Sequence, residues 1–283
     1  MKVLVLGGTG LLGEALMQRC QALGHAAIAA SRASTALALD IADRARLAGA
    51  LAELKPELVV NCAALASIDA CEADPAKAFA VNAEPLGELA RLSRGARFKL
   101  VHVSTDHYFT GGGKARHSED APVTLLNEYA RSKLASEKYA LAAPGALVVR
   151  TAFVGRHSNH DQGFAEQIHG ALQRGDRLTL FEDAYTSLLH RAEVARLMLE
   201  LVARDAHGIV NVASSDVFSK GDLIRAFARA LGLQLNAQSG SVRSLKVPRA
   251  ESLGLATAKI EALLGRRMPG LDDTIGLLAA DFR

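Results

Sequence analysis

At 283 residues the chain exceeds one average domain, and an apolar share of 49% with 22% charged residues excludes a disordered or fibrous protein. A net charge of +3, with Lys and Arg scattered among Asp and Glu, lacks the clustered cations that nucleic-acid binding requires. Cys20, Cys62 and Cys71 form no C-x-x-C pair and read as reduced thiols; the opening apolar run is too short for a signal peptide or a membrane span, so a cytoplasmic protein is expected.

The first strand, Val3 to Leu6, runs directly into Gly7-Gly8-Thr9-Gly10-Leu11-Leu12-Gly13, and a helical period follows from Leu11 to Leu23. The spacing Gly7-x-x-Gly10-x-x-Gly13 supplies a tight turn, a place where backbone can approach a pyrophosphate, and close packing of helix on strand. Leu11 and Leu12 open that helix, whose amides and positive dipole end suit phosphate. A second strand, Ala26 to Ala30, ends at Ser31-Arg32 with no carboxylate to meet an adenosine 2′-hydroxyl. Arg32 suits a 2′-phosphate instead, so NADP(H) is favoured while NAD(H) stays open. Asp40-Ile41 has two readings: contact with the adenine edge, or an N-cap for the next helix.

A helix over Asp43 to Leu54 leads to a third strand, Leu58 to Asn61, ending in Asn61-Cys62-Ala63-Ala64, where Ala63 and Ala64 are expected to border the dinucleotide. Asp74-Pro75 caps one long predicted helix from Pro75 to Arg94. Strand Leu100 to Val103 precedes Ser104-Thr105-Asp106; a helix over Asn127 to Ala142 and a strand over Ala146 to Arg150 follow. Each strand is almost continuously apolar, as burial on both faces requires, so the βαβαβαβαβ order predicts an α/β fold with a doubly wound parallel sheet of the Rossmann type. Beyond Phe153 the pattern loosens to helices at Arg191 to Ala203, Lys220 to Leu231 and Thr257 to Leu264, with one strand at Ile209 to Val212. The expected division is a dinucleotide-binding core over 1–155, completed by a strand near 208–213, and a smaller C-terminal substrate-binding lobe over 156–283. His157, His160 and Asp161 lack ligand spacing, so no metal site is expected; Gly111-Gly112-Gly113 reads as a loop at the mouth of the site, able to order over substrate.

The chemistry centres on Tyr129-Ala130-Arg131-Ser132-Lys133. Residues four apart share a helix face, which sets the Lys133 ammonium near the Tyr129 phenol and makes that phenol a workable acid near neutral pH. Such a pair arises readily by chance; its weight comes from the preceding glycine turn, the Ser-Thr-Asp at a strand end and the strand that follows. Thr105 has two readings, a hydrogen-bond donor polarising a substrate carbonyl or a strand-end cap.

With GGTGLLG, NCAA followed by Ile68-Asp69-Ala70-Cys71-Glu72, VNA at Val81 to Ala83, STD, EYARSKLASEK and VVRTAFVG at Val148 to Gly155 in view, the chain resembles the extended short-chain dehydrogenase/reductases, and among them the dTDP-4-dehydrorhamnose reductase-like group. The resemblance implies reduction of a nucleotide-linked 4-keto-6-deoxysugar by NADPH, with Tyr129 as proton donor, Lys133 orienting it and the nicotinamide ribose, Thr105 on the keto oxygen, and Asp106 and Phe153 flanking the sugar. It also implies a homodimer. Departures from the group fall on the substrate side: His107 stands where Tyr usually follows Ser-Thr-Asp, Phe153 replaces Trp, and Leu188-Leu189 replaces a Pro-Thr pair. The alternatives are a sugar-nucleotide epimerase, or a non-catalytic NADP-binding regulatory subunit, the role of one relative of the group. A dehydratase is disfavoured because its second acid–base, a Glu after Thr-Asp, is His107 here.

Overall fold

The structure, a computed structural model, describes every residue except 159–162. Seven strands form the main sheet: β1 (Lys2–Leu6), β2 (Ala26–Ser31), β3 (Leu37–Ala38), β4 (Leu58–Asn61), β5 (Lys99–Val103), β6 (Leu147–Thr151) and, at the far edge beside β6, Gly208–Val212. Their order is Gly208–Val212, β6, β5, β4, β1, β2, β3, and every pairing from β6 to β3 is parallel. After β1 the chain builds outward through β2 and β3, then returns to lay β4, β5 and β6 on the other side. The reversal lies between β1 and β4, where open α/β sheets bind ligands at the carboxyl ends of their strands.

Register keeps that edge level to within one residue. Leu6 is paired with both Ala30 and Asn61, and Asn61 with His102, so β1 and β4 end level at Leu6 and Asn61 while β2 and β5 run one residue further, to Ser31 and Val103. Leu4, Leu6, Val59, Leu100 and Val148 on the strands pack with Leu47, Leu51, Leu86 and Leu89 on the helices Arg44–Leu54 and Glu84–Ala96, joining the layers in one core. The helices are α1 (Leu11–Ala22), α2 (Arg44–Leu54), α3 (Ile68–Ala73), α4 (Pro75–Asn82), α5 (Glu84–Ala96) and α6 (Glu128–Ala140).

Two local outcomes differ from the sequence expectation. The single helix predicted over Pro75 to Arg94 is two, α4 and α5, broken at Ala83. Pro85 explains the break, since proline has no N–H to continue the ladder and crowds the preceding turn. Asp74 does cap α4, accepting from the Lys77 amide at 3.0 Å. The helix α3, begun by the Ser67 hydroxyl accepting from Ala70, was not anticipated.

The chain divides into two compact units. One contains 1–105, 125–150 and 195–210; the other contains 106–124, 151–194 and 211–283. Within the second unit, Phe153–Val154 pairs with Leu189–His190, Tyr185–Thr186 lies between Phe218–Ser219 and Ser252–Leu253, and Leu178–Phe181 pairs with Ala237–Gly240. Helices Phe164–Arg174, Lys220–Leu231 and Leu271–Ala280 close its core over Val154, Leu172, Leu188, Phe227 and Leu278. Among the described residues no helix is long and apolar enough to cross a membrane.

Candidate active site

A cavity of about 300 Å³ opens at the carboxyl edge of β1, β2 and β4. Of the expected dinucleotide contacts, Gly7, Gly10, Ser31, Arg32, Asp40, Ile41, Ala63 and Ala64 line it. Leu11, Leu12, Gly13, Tyr129 and Lys133 are not among its lining residues; Leu12 and Gly13 are buried under the helix start, and Tyr129 and Lys133 are buried on α6. Gly7 has φ +76°, and a Cβ there would lie 2.7 Å from the Ala63 amide nitrogen. A Cβ on Gly13 would overlap the Gly7 carbonyl, so this glycine lets α1 sit directly against the turn. No side chain caps α1 at Gly10, and Gly10 lines the cavity, so the helix begins at the cavity wall, where a helix N-terminus favours an anion.

At the end of β2, exposed Arg32 flanks Ser31, whose hydroxyl lies 2.8 Å from that of Thr9. Of the two readings of Asp40, the helix cap is excluded: Asp43 caps α2 through Arg46, while Asp40 accepts from Ala42 in its own turn and lines the cavity. These residues fit a dinucleotide, because the glycines clear space that any Cβ would fill and the helix start meets it. Sequence reading missed Thr9, Cys62, Leu65 and Lys77 as lining residues. Thr9 sat in the glycine turn and Cys62 in the strand-end motif, so both carried a signal; Lys77 carried none.

The other half of the site is α6 against β5. Asn127 caps α6 by accepting from the Ala130 amide at 2.9 Å, and Tyr129 and Lys133 follow in its first two turns, both buried. The Lys133 ammonium donates to the Val103 carbonyl at 2.8 Å, which ties it to the end of β5, directly before Ser104-Thr105. Burial pulls Lys133 down to about 8, opposed by the charges of Glu137 and Cys62. Thr105 is buried directly past β5. Cys62 faces the cavity but is densely surrounded, and burial pushes its thiol up to about 12.

Below these, Glu137 accepts from Arg150 through two hydrogen bonds, 2.9 and 2.8 Å, and from Ser104 at 2.6 Å, pinning α6 to β5 and β6. The polar residues His102, Asn61, Ser132 and Ser136 are fully buried in the same layer. A histidine at the centre of an otherwise apolar strand was the sequence signal for this layer, and it went unread.

In the second unit, Asp106 is buried with its Oδ1 3.9 Å from His107 Nε2, and Phe153 is half-buried in its short strand. His107 is pulled down to about 3 by burial and by the charges of Lys220 and Arg249. Leu188 and Leu189, the departure noted near the expected substrate pocket, are core residues. Of the residues considered for metal, His160 and Asp161 lie outside the described residues; among those described, no cluster suited to a metal ion occurs.

A glycine turn at the switch of a doubly wound sheet, beside a buried tyrosine and lysine on the helix after β5, defines an extended short-chain dehydrogenase/reductase. The family model for the RmlD substrate binding domain matches residues 1–282, and the chain belongs to that family. It is 30% identical to the probable low-salt glycan biosynthesis reductase Agl14 of Haloferax volcanii, over 100% of this chain and 98% of the relative. It is 31% identical to a dTDP-4-dehydrorhamnose reductase of Mycolicibacterium smegmatis, over 82% of this chain and 69% of the relative. Among solved structures, the dTDP-4-dehydrorhamnose reductase of Bacillus anthracis in complex with NADP aligns with a TM-score of 0.90 at 20% identity, covering 99% of each chain. The UDP-glucose 4-epimerase of Thermus thermophilus in complex with NAD aligns at 0.85 and 24% identity, over 100% and 99%. Likeness at that level establishes the fold and does not separate reductase from epimerase.

Proposed function

We propose that the protein reduces a nucleotide-linked 4-keto-6-deoxysugar with NADPH, Tyr129 giving the proton to the carbonyl oxygen. The observation that carries this reading is the Lys133 ammonium, buried one helical turn from Tyr129 and held on the last residue of β5, two residues before Thr105. Relatives along most of the chain bear the names dTDP-4-dehydrorhamnose reductase and, in Streptomyces niveus, dTDP-4-keto-6-deoxy-D-glucose reductase, which supports the substrate class. Arg32 and Ser31 at the cavity, with no carboxylate after β2, support NADPH over NADH. Gly7, Gly10, Ala63 and Ala64 would hold the dinucleotide, with Asp40 and Ile41 at its adenine; Leu11, Leu12 and Gly13 form the helix start behind it.

The reduced nicotinamide, when bound, supplies the hydride. The chain's own residues handle the proton and the developing charge. Tyr129 donates its phenolic proton as the oxygen becomes an alkoxide, and the Lys133 ammonium stabilises the resulting phenolate. Thr105 donates a hydrogen bond to the same substrate oxygen, keeping the carbonyl polarised. Asp106 and Phe153 are retained as proposed sugar contacts.

The test is NADPH absorbance followed against a panel of nucleotide-linked 4-keto sugars. One NADPH consumed per sugar distinguishes reduction from epimerisation, which returns its cofactor each turnover. Tyr129→Phe is expected to bind NADPH normally and to lose about 10²- to 10⁴-fold in turnover. Turnover equal to wild type in that variant would refute the assignment of the proton donor.

A further inference from the structure

His102 is wholly buried at the centre of β5, and both of its ring nitrogens are engaged. Asn61 Oδ1 accepts from the Ala63 amide at 3.2 Å, which turns its Nδ2 toward His102 Nδ1, 3.2 Å away. Nδ1 therefore accepts, and the ring proton resides on Nε2. Ser136 gives its own proton to the Lys133 carbonyl at 2.6 Å, so its oxygen accepts from Nε2–H at 2.8 Å. Lys133 Nζ lies 3.3 Å from the same Nε2. Two N–H donors face one another there, and the ring offers the ammonium no lone pair.

We propose that His102 is a positioning residue for Lys133: its neutral, Nε2-protonated imidazole holds α6 on β5 by donating to Ser136 and presents the ammonium with a donor rather than an acceptor, leaving the ammonium to the Val103 carbonyl and to Tyr129. Helical side chains lean toward the helix N-terminus, and from Lys133 that direction is Tyr129. Burial, and then the charge of Lys133, hold the imidazole well below its usual range, so it stays neutral whenever Lys133 is charged. The chain from Ala63 through Asn61 and His102 to Ser136 thereby links the wall of the dinucleotide cavity to the helix carrying the proton donor.

The inference rests on the proposed roles of Tyr129 and Lys133, and its test has two arms. In the spectroscopic arm, ¹⁵N-histidine-labelled full-length protein is assigned with His102→Gln. A protonated Nε2 and a bare Nδ1, unchanged between pH 5.5 and 8, are expected; a protonated Nδ1, or a ring that titrates in this range, overturns the proposal. This arm needs no turnover and stands whether or not the proposed reaction is correct.

In the kinetic arm, NADPH oxidation is followed with dTDP-4-keto-6-deoxyglucose as the probe substrate. His102→Phe keeps a ring but no nitrogen, and is expected to lower kcat about 10- to 100-fold while KM for NADPH moves less than about threefold. His102→Gln keeps a donor for Ser136 and is expected to recover kcat to within about fivefold of wild type. A kcat near wild type in His102→Phe, or equal losses in Phe and Gln, overturns the proposal. Full turnover in Lys133→Met would instead refute the reaction reading itself. If His102→Phe does not fold, His102→Gln and the spectra decide.

Discussion

Lys133 carries a charge that its surroundings penalise, and this fixes a pH dependence. Its ammonium is retained below about 8 and lost above it, so the group that stabilises the Tyr129 phenolate disappears on the alkaline side. Turnover is expected to fall as pH rises through about 8, and a kcat profile flat from pH 7 to 9.5 would contradict this. The linkage to stability has the opposite sense: between about 8 and the ordinary lysine range the unfolded chain binds the extra proton, so this residue's destabilising effect diminishes as pH rises. Arg32 gives a second prediction. Losing a charge-assisted hydrogen bond worth roughly 1.5–3 kcal/mol should raise KM for NADPH at least about tenfold in Arg32→Ala and leave KM for NADH almost unchanged. Parallel rises for both cofactors would remove Arg32 from any 2′-phosphate contact. At this scale Tyr129, Lys133 and the cavity glycines were legible because fixed spacing on a helix or turn carries their geometry. His102 and Ser136 were not, since their meeting depends on how α6 lies across β5.

α6 is anchored by the buried group of Glu137, Arg150 and Ser104, with both charged side chains almost wholly out of water. Breaking one partner strands the other, so Glu137→Leu alone is expected to cost about 3–5 kcal/mol by denaturant unfolding, whereas pairing it with Arg150→Met should recover most of that loss. Additive losses in the double variant would mean that the ion pair is not the coupling. Gly13→Ala drives a Cβ into the Gly7 carbonyl and should impair NADPH affinity together with stability. The long periodic elements of the main sheet were readable from sequence. Helices Phe164–Arg174 and Leu271–Ala280 were not read, nor were the two-residue strands, whose pairings are too short to leave a period.

For the molecule as a whole, acid is the weak side. His102, His107, His117 and His169 are all held below their ordinary range, first by burial. Below pH 6.5 the unfolded chain binds protons that these folded imidazoles refuse, so stability is fully present above 6.5 and declines as pH falls. For His107 the decline continues to about 3. Melting temperatures between pH 7.5 and 5 should drop steeply, and His107→Gln should flatten the slope; an unchanged slope would exclude His107 as a contributor. The alternation of strand and helix was legible over most of the first 150 residues because each long apolar run met a helix-length partner; the two-residue strand β3 and the short helix α3 were not. The second unit was only sketched, since its core gathers residues from 154 to 278 on short strands and separate helices.

Cys62 gives the dinucleotide cavity an internal chemical reporter. With burial pushing its thiol up to about 12, little nucleophilic thiolate is present near pH 7, so alkylation is slow even though the residue borders open space. Cys20 and Cys71 are buried outside that lining. Mass-resolved labelling by iodoacetamide thus reads cavity access at one site, and a ligand filling the cavity would register as protection there before any assay of turnover existed.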